Sequence, residues 1–242
     1  MKVNYHFKSD IGLYRSNNQD AVNFVKNKYG QYFGVVCDGL GGHNGGETAS
    51  WMATDLYSEM FLNTDFTNYS IKQIRNWLNT TTLHVQKIMM RYVENYEQLS
   101  DMGTTVSIIL IAHKQAFLLN IGDSRIYEYH ENKLMQLTTD HNVINMLHPS
   151  KAASIEKTLW KALTSALGPN KKLLIDTFVI DDIKGMTFLL TTDGLHEYLE
   201  DYEMIDILKN NKKLSKKTKK LISSALENVS TDNLTILLVQ IK

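Results

Sequence analysis

The chain has 242 residues, 43% of them hydrophobic, and its 26 basic and 26 acidic side chains give a formal net charge of zero. Such a chain is long and apolar enough for one large core, is not a disordered or collagen-like polymer, and has no global field to draw it to nucleic acid or an anionic membrane. The single cysteine, Cys37, excludes an internal disulfide framework and any Cys-x-x-Cys metal or redox site, which fits a reducing cytoplasm.

The N-terminal MKVNYHFKSD alternates apolar and polar residues and lacks the continuous apolar stretch of a secretory signal. Val3, Tyr5 and Phe7 therefore predict a strand, and AVNFVK and QYFGVVC, flanking the turn-like Asn27 to Gly30, predict a hairpin whose second strand ends at Asp38. Apolar residues at helical spacing (Ala49, Met52, Ala53, Leu56, Met60) predict a helix from about Glu47 to Phe61. A longer helix follows, with Ser70 as its N-cap and a core-facing stripe from Ile71 through Leu78, Val85 and Met89 to Tyr96. Residues 104 to 137 read as a meander of four strands, TTVSIILIA, QAFLLNIG, RIYEYH and KLMQL, which leaves Gly122, Asp123 and Ser124 in a turn. Residues 141 to about 167 read as mixed helix and loop. LLIDTFVI and MTFLLTT are two further strands, the second ending at Asp193, and helical patterns resume near Tyr202. LSKKTKKLISSALENV puts its lysines on a solvated face, and NLTILLVQI closes the chain as a strand. With two prolines, no repeat, no low-complexity block and no run of membrane-spanning length, residues 1–242 read as one domain with no membrane partner.

Four aspartates share a placement at strand ends: Asp20 and Asp232 before strands, Asp38 and Asp193 after them. Taken singly, Asp-Gly at 38 and 193 and Asp-Asn at 232 are ordinary turn formers. Strand ends converge in a packed sheet, however, and carboxylates on short stems suit Mg²⁺ and similar hard cations, which bind oxygen and keep several waters. The loop DGLGGHNGG holds five glycines in nine residues, implying close approach of the main chain to something. It lacks the lysine of a Walker A loop and the spacing of a dinucleotide fingerprint, so a metal with a backbone carbonyl ligand suits it better. His43 reads as a hydrogen-bonding loop residue. Arg15 precedes Asp20 by five residues and presents a planar fork suited to two oxygens of one phosphate, with a surface salt bridge as the competing account. One arginine beside several such carboxylates describes hydrolysis of a phosphate ester by metal-activated water.

In order, GLYRSNNQD (12–20), VCDGLGGHNGGE (36–47), MGTT (102–105), NIGDSRIY (120–127), LTTDH (137–141), TTDGL (191–195) and TDNLT (231–235) resemble the PPM family of metal-dependent serine/threonine protein phosphatases, also called type 2C, and its compact bacterial members in particular. The resemblance implies an α+β fold, a four-layer α-β-β-α sandwich of two antiparallel sheets face to face with helices on both outer faces. It implies two or three Mg²⁺ or Mn²⁺ ions. Asp38 would bridge two of them, the first also held by Asp193 and Asp232, the second by Asp20 and the main-chain oxygen of Gly39. Asp123 would join Asp193 on a third, and Arg15 would grip the substrate phosphate. The implied substrate is a phosphorylated protein, with a cognate serine/threonine kinase as the opposing activity and a cytoplasmic monomer as the acting form. Four departures stand out. Leu40 occupies the position where eukaryotic members carry a histidine proposed as general acid, and neither His43 nor His141 is assigned that role. Thr192 replaces the usual serine before Asp193. His196 and Glu197 are unusual, and residues 142–163, where bacterial relatives carry a flap, match only in rough length. Two rival readings are a catalytically silent phosphoprotein-binding relative, which retention of every aspartate disfavours, and a hydrolase of small phosphoesters with the same metal chemistry.

Overall fold

Side-chain alternation along two paired strands builds the layers. In β2 (Asp20–Lys26) and β3 (Tyr32–Leu40), successive residues point to opposite faces of the sheet. Phe33, Val35 and Cys37 face one way, into a core shared with helices α1 (Gly45–Leu62) and α2 (Ile71–Val93). Val36 and Phe24 face the other way, into a second core lying between two sheets. The computed structural model describes residues 1–42, 45–147 and 156–242.

The first sheet has the order β1 (Val3–Asp10), β11 (Leu234–Ile241), β10 (Thr187–Thr191), β7 (Arg125–His130) and β8 (Lys133–Gln136). The second runs β2, β3, β5 (Val106–Ala112), β6 (Gln115–Ile121) and β9 (Asp176–Ile180), with β4 (Gly103–Thr104) paired to the end of β3. Neighbouring strands pair antiparallel throughout. Phe188, Leu190, Leu237 and Val239 from the first sheet meet Val36, Ile109 and Leu118 from the second. Burying each such side chain contributes about 2 kcal/mol, so this inter-sheet layer is what holds the sheets face to face. On the outer face of the first sheet, α5 (Asp201–Leu208) and α6 (Leu214–Glu227) cover Leu189, Ile236 and Leu238 with Met204, Leu221 and Ile222. The expected four-layer α-β-β-α sandwich is the observed architecture. None of the described helices is long and apolar enough to cross a membrane.

Several expectations are corrected. Asp38 lies within β3 rather than after it, because Gly39 and Leu40 continue the strand by pairing with Thr104 and Gly103. The four-strand meander divides: β5 and β6 belong to one sheet, β7 and β8 to the other, so the Gly122–Ser124 turn carries the chain across the inter-sheet gap. Ser70 does cap α2, forming a capping box with Gln73, but the stripe is buried only from Ile74 to Met89, while Ile71 and Tyr96 are exposed. β9 begins at Asp176, and the preceding Leu173 and Ile175 pack on the helix-side core without pairing. In the region expected to form a flap, α3 (Val143–Met146) is capped by Asn142, a bridge joins Asn142 to Leu163, and a 3₁₀ turn spans Lys157–Leu159; residues 148–155 lie outside the described residues.

Candidate active site

At one end of the sandwich the apolar inter-sheet layer gives way to acids. Asp20 stands directly opposite Asp38 in the β2–β3 register. By alternation both continue the face of Val22, Phe24 and Val36, so they point into the gap between the sheets just beyond its last apolar residues. Asp193 is delivered by β10, opening the one-turn helix α4 (Asp193–His196), and Asp232 comes from the segment leading into β11. Asp123 sits in the turn where the chain changes sheets. Arg15, Asp38, Gly39, Asp123, Asp193 and Asp232 line one cavity of about 560 Å³, and the buried Asp20, paired across from Asp38, lines the neighbouring groove. The structure thus brings all seven predicted site residues to one place.

The sequence around these groups explains how they are held. The Asp38 backbone is clasped from both sides: its N–H donates to Thr105 Oγ1 at 2.9 Å, and its carbonyl accepts from Thr104 Oγ1 and Thr105 N, each at 2.9 Å. Thr105 in turn shares a 2.6 Å hydrogen bond with Ser124, tying the Asp123 turn to Asp38. Thr192 Oγ1 donates to Asp20 Oδ2 at 2.8 Å and accepts from Thr235 N. Asn233 accepts from Gln19 N and donates to the carbonyls of Ile11 and Asn17, which fastens the Arg15 loop beside Asp232. Two glycines are required by close approach: a Cβ on Gly39 would lie 2.1 Å from the Gly46 carbonyl oxygen, and one on Gly194 would lie 2.1 Å from that of Asn233.

Crowding these carboxyls together raises their pKa values. Burial is the largest cause in each case. It pushes Asp20 up to about 7, reinforced by Asp193 and Asp232 and opposed by hydrogen bonds from Thr235 and Thr192. Burial and then Asp193 and Asp140 raise Asp123 to about 7. Asp193 rises to about 6 through burial, Asp232 and Glu197, although a hydrogen bond with Asp38 pulls it down. Asp38, surrounded by Asp20, Asp193, Asp123 and Asp232, is raised well above the usual carboxylate range. Among the described residues Asp193 Oδ1 is buried with no hydrogen-bond partner. Arg15 donates to Asp232 Oδ2 at 2.5 Å, and that hydrogen bond raises its own pKa. Among the described residues, no three His, Cys, Asp or Glu side chains stand close enough to form a finished cation shell. Acids kept this close, with one buried oxygen unpartnered, nevertheless fit a site for hard cations, because only added positive charge or protons can offset their repulsion.

Two charged residues at the site, Lys161 and Glu197, are not assigned to it by the sequence, which marks the latter only as unusual for the family. Lys161 lines the cavity and pairs with Glu197 at 2.7 Å, and Glu197 helps raise Asp123 and Asp193. None of the described histidines lines the cavity. His141 is buried with both ring nitrogens engaged, Nδ1 by the Gly122 N–H at 3.2 Å and Nε2 by Asp176 at 3.0 Å. His196 is held neutral by burial and by Arg125 and Lys161, with Nδ1 on Thr191. His43 lies outside the described residues. Burial pushes the Cys37 thiol up, leaving it a core hydrophobe.

Residues 14–238 match the family model for protein phosphatase 2C. The chain belongs to the protein phosphatase 2C family. It is 36% identical over 238 residues to the serine/threonine phosphatase stp of Listeria welshimeri, an alignment that takes in 97% of this chain and 94% of that one. Its fold superposes on the serine/threonine phosphatase Stp1 of Staphylococcus aureus with a TM-score of 0.88 at 28% identity, covering 100% of this chain and 96% of the other. The catalytic domain of the serine/threonine protein phosphatase PstP, in complex with two manganese ions, shares the fold with a TM-score of 0.81 at 24% identity, over 99% of both chains. The expected family, fold and enzyme class are all borne out.

Proposed function

We propose that this 2C-family phosphatase hydrolyses phosphoserine and phosphothreonine in proteins and requires two or three divalent cations, Mg²⁺ or Mn²⁺, to do so. The observation that carries the metal requirement is the set of five aspartates, drawn from five segments and held at one end of the sheets, with the pKa values of Asp20, Asp38, Asp123 and Asp193 raised. Asp38 would be shared by two such cations, with Asp193 and Asp232 helping to hold the first and Asp20 and the Gly39 carbonyl the second, and Asp123 would join Asp193 on a third. Such cations, when bound, make water a strong nucleophile near neutral pH and neutralise charge on a phosphoryl group. The chain's own residues do the rest. The threonine hydroxyls hold the Asp38 backbone and the Asp20 carboxylate in place, and Asn233 positions the loop that carries Arg15. Among the described residues Arg15 uses only Nη2, on Asp232, so its other N–H groups can take the phosphate oxygens.

The catalytic unit spans residues 1–242, and from the region expected to form a flap Lys161 and Leu163 line the cavity. We read it as a cytoplasmic monomer acting opposite a serine/threonine kinase in bacterial signalling. Phosphate release from a phosphothreonine peptide should require Mn²⁺ or Mg²⁺, stop with EDTA, and be lost in Asp38→Asn. Turnover that survives EDTA would remove the metal requirement. A strong preference for nucleotides or sugar phosphates at equal concentration would favour the small-ester reading instead. Calorimetric binding of Mn²⁺ to the chain, weakened by Asp38→Asn, tests the ligand set independently of turnover.

A further inference from the structure

Next to the active-site cavity runs a second groove of about 610 Å³, which shares Ser16 and Asn17 with it. One wall is the β1–β2 loop, with Ile11, Asn17 and Asn18; the other is α1, with Glu47, Trp51 and Asp55. These last three are spaced four residues apart and so share one helix face, an acid, an aromatic ring and an acid in successive turns. Trp51 is 58% exposed, an uncommon place for the side chain with the largest apolar payload. Among the described residues its ring stacks on no other aromatic group and carries no cation, and neither Glu47 nor Asp55 has an ion pair. On the facing wall the side chain of Asn17 is unpaired, since the residue lends only its backbone carbonyl to Asn233.

We propose that this groove is a substrate subsite that receives the polypeptide flanking the phosphorylated residue and selects a lysine or arginine there. Four observations favour this occupant. The groove is continuous with the cavity through the residues that follow Arg15, so a chain whose phosphate is gripped by Arg15 leaves past Ser16 and Asn17 into it. Its charge is complementary to a cation, with Glu47 and Asp55 on either side of the ring. Tryptophan is the strongest cation–π acceptor among the side chains, and an arginine can stack on it while donating to a flanking carboxylate. The unpaired amide of Asn17 suits the main chain of an extended peptide. The inference deepens the phosphatase reading and rests on it.

The test uses the intact chain with saturating Mn²⁺ and phosphothreonine peptides that differ only by arginine or glutamate at each flanking position, with p-nitrophenyl phosphate as an ester too small to reach the groove. The arginine peptides on one side of the phosphothreonine should show kcat/KM higher by about tenfold, mostly through KM, the size of a partly desolvated cation–π contact joined to an ion pair. Trp51→Ala should erase the difference. Asp55→Lys, an exposed substitution, should reverse it. Both variants should turn over p-nitrophenyl phosphate as the unaltered chain does. Equal kcat/KM for all peptides overturns the subsite, as do variants that lose peptide and p-nitrophenyl phosphate turnover alike. A chain inactive on every ester would sink the phosphatase reading, and the subsite with it.

Discussion

The acidic end of the molecule carries two arginine–aspartate pairs that are built differently. Arg125 spends its whole fork: Nε and Nη2 donate to both oxygens of Asp140 at 2.8 to 3.2 Å, Nη1 reaches Tyr127, and Gln136 adds a further donor to Asp140. Arg15 makes a single contact with Asp232 and its side chain is 54% exposed, against 26% for Arg125. The first pair is saturated and stitches the start of β7, two residues from Asp123, to the segment before His141. The second is exposed, one-pronged and made to a carboxylate of the site itself, so it can be exchanged for a substrate. Similar chemistry thus serves as a brace in one place and as a handle in the other, and burial and geometry decide which.

The largest effect expected belongs to the acids that the handle approaches. Asp38→Asn should lower kcat by about a thousandfold or more, while in EDTA it should raise the thermal midpoint, because one mutually repelling carboxylate is gone. A variant that loses activity and midpoint together would show that Asp38 is a structural group. Next comes the brace. Asp140→Ala leaves a half-buried guanidinium without its partner and should cost about 3 kcal/mol by urea unfolding, with activity falling as the Asp123 turn loosens.

A third measurement concerns pH. Asp20 and Asp123 near 7 and Asp193 near 6 hold protons in the folded chain that they release near 4 when unfolded. In EDTA, stability should therefore be greatest at low pH and fall as pH rises from about 4 to 7, by on the order of 1.4 kcal/mol per pH unit for each proton so held. Excess Mn²⁺ should flatten that slope, with cations taking the place of protons. A stability that rises with pH in EDTA across this window would contradict the crowding of the carboxylates.

Much of this was legible in the sequence, for identifiable reasons. The hairpin was readable from its alternation and its Asn27–Gly30 turn, and the pairing of Lys26 with Tyr32 beyond that turn is what sets Asp20 opposite Asp38. The change of sheet between β6 and β7 was not readable, because both strands have the same local pattern whichever sheet they join. The MGTT and GDSR blocks were visible, but their role in holding the Asp38 backbone depends on Thr105 and Ser124 meeting across the fold. Lys161 and Glu197 lie 36 residues apart, and although Glu197 stands out as unusual, only tertiary structure joins it to Lys161.

The smallest expected effect separates handle from brace most cleanly. Arg15→Ala should raise KM for a phosphothreonine peptide by about tenfold, with kcat reduced less and the unfolding free energy changed by no more than about 0.5 kcal/mol, since an exposed single-contact pair adds little stability. Arg15→Lys keeps the charge and gives up the planar fork, so it should recover only part of the affinity. If lysine restores KM in full, Arg15 acts as a point charge and its free N–H groups are irrelevant. If alanine instead destabilises the chain as much as Asp140→Ala does, Arg15 is a second brace for the β1–β2 loop. Its contact with Asp232 would then be the purpose of the residue rather than its resting place.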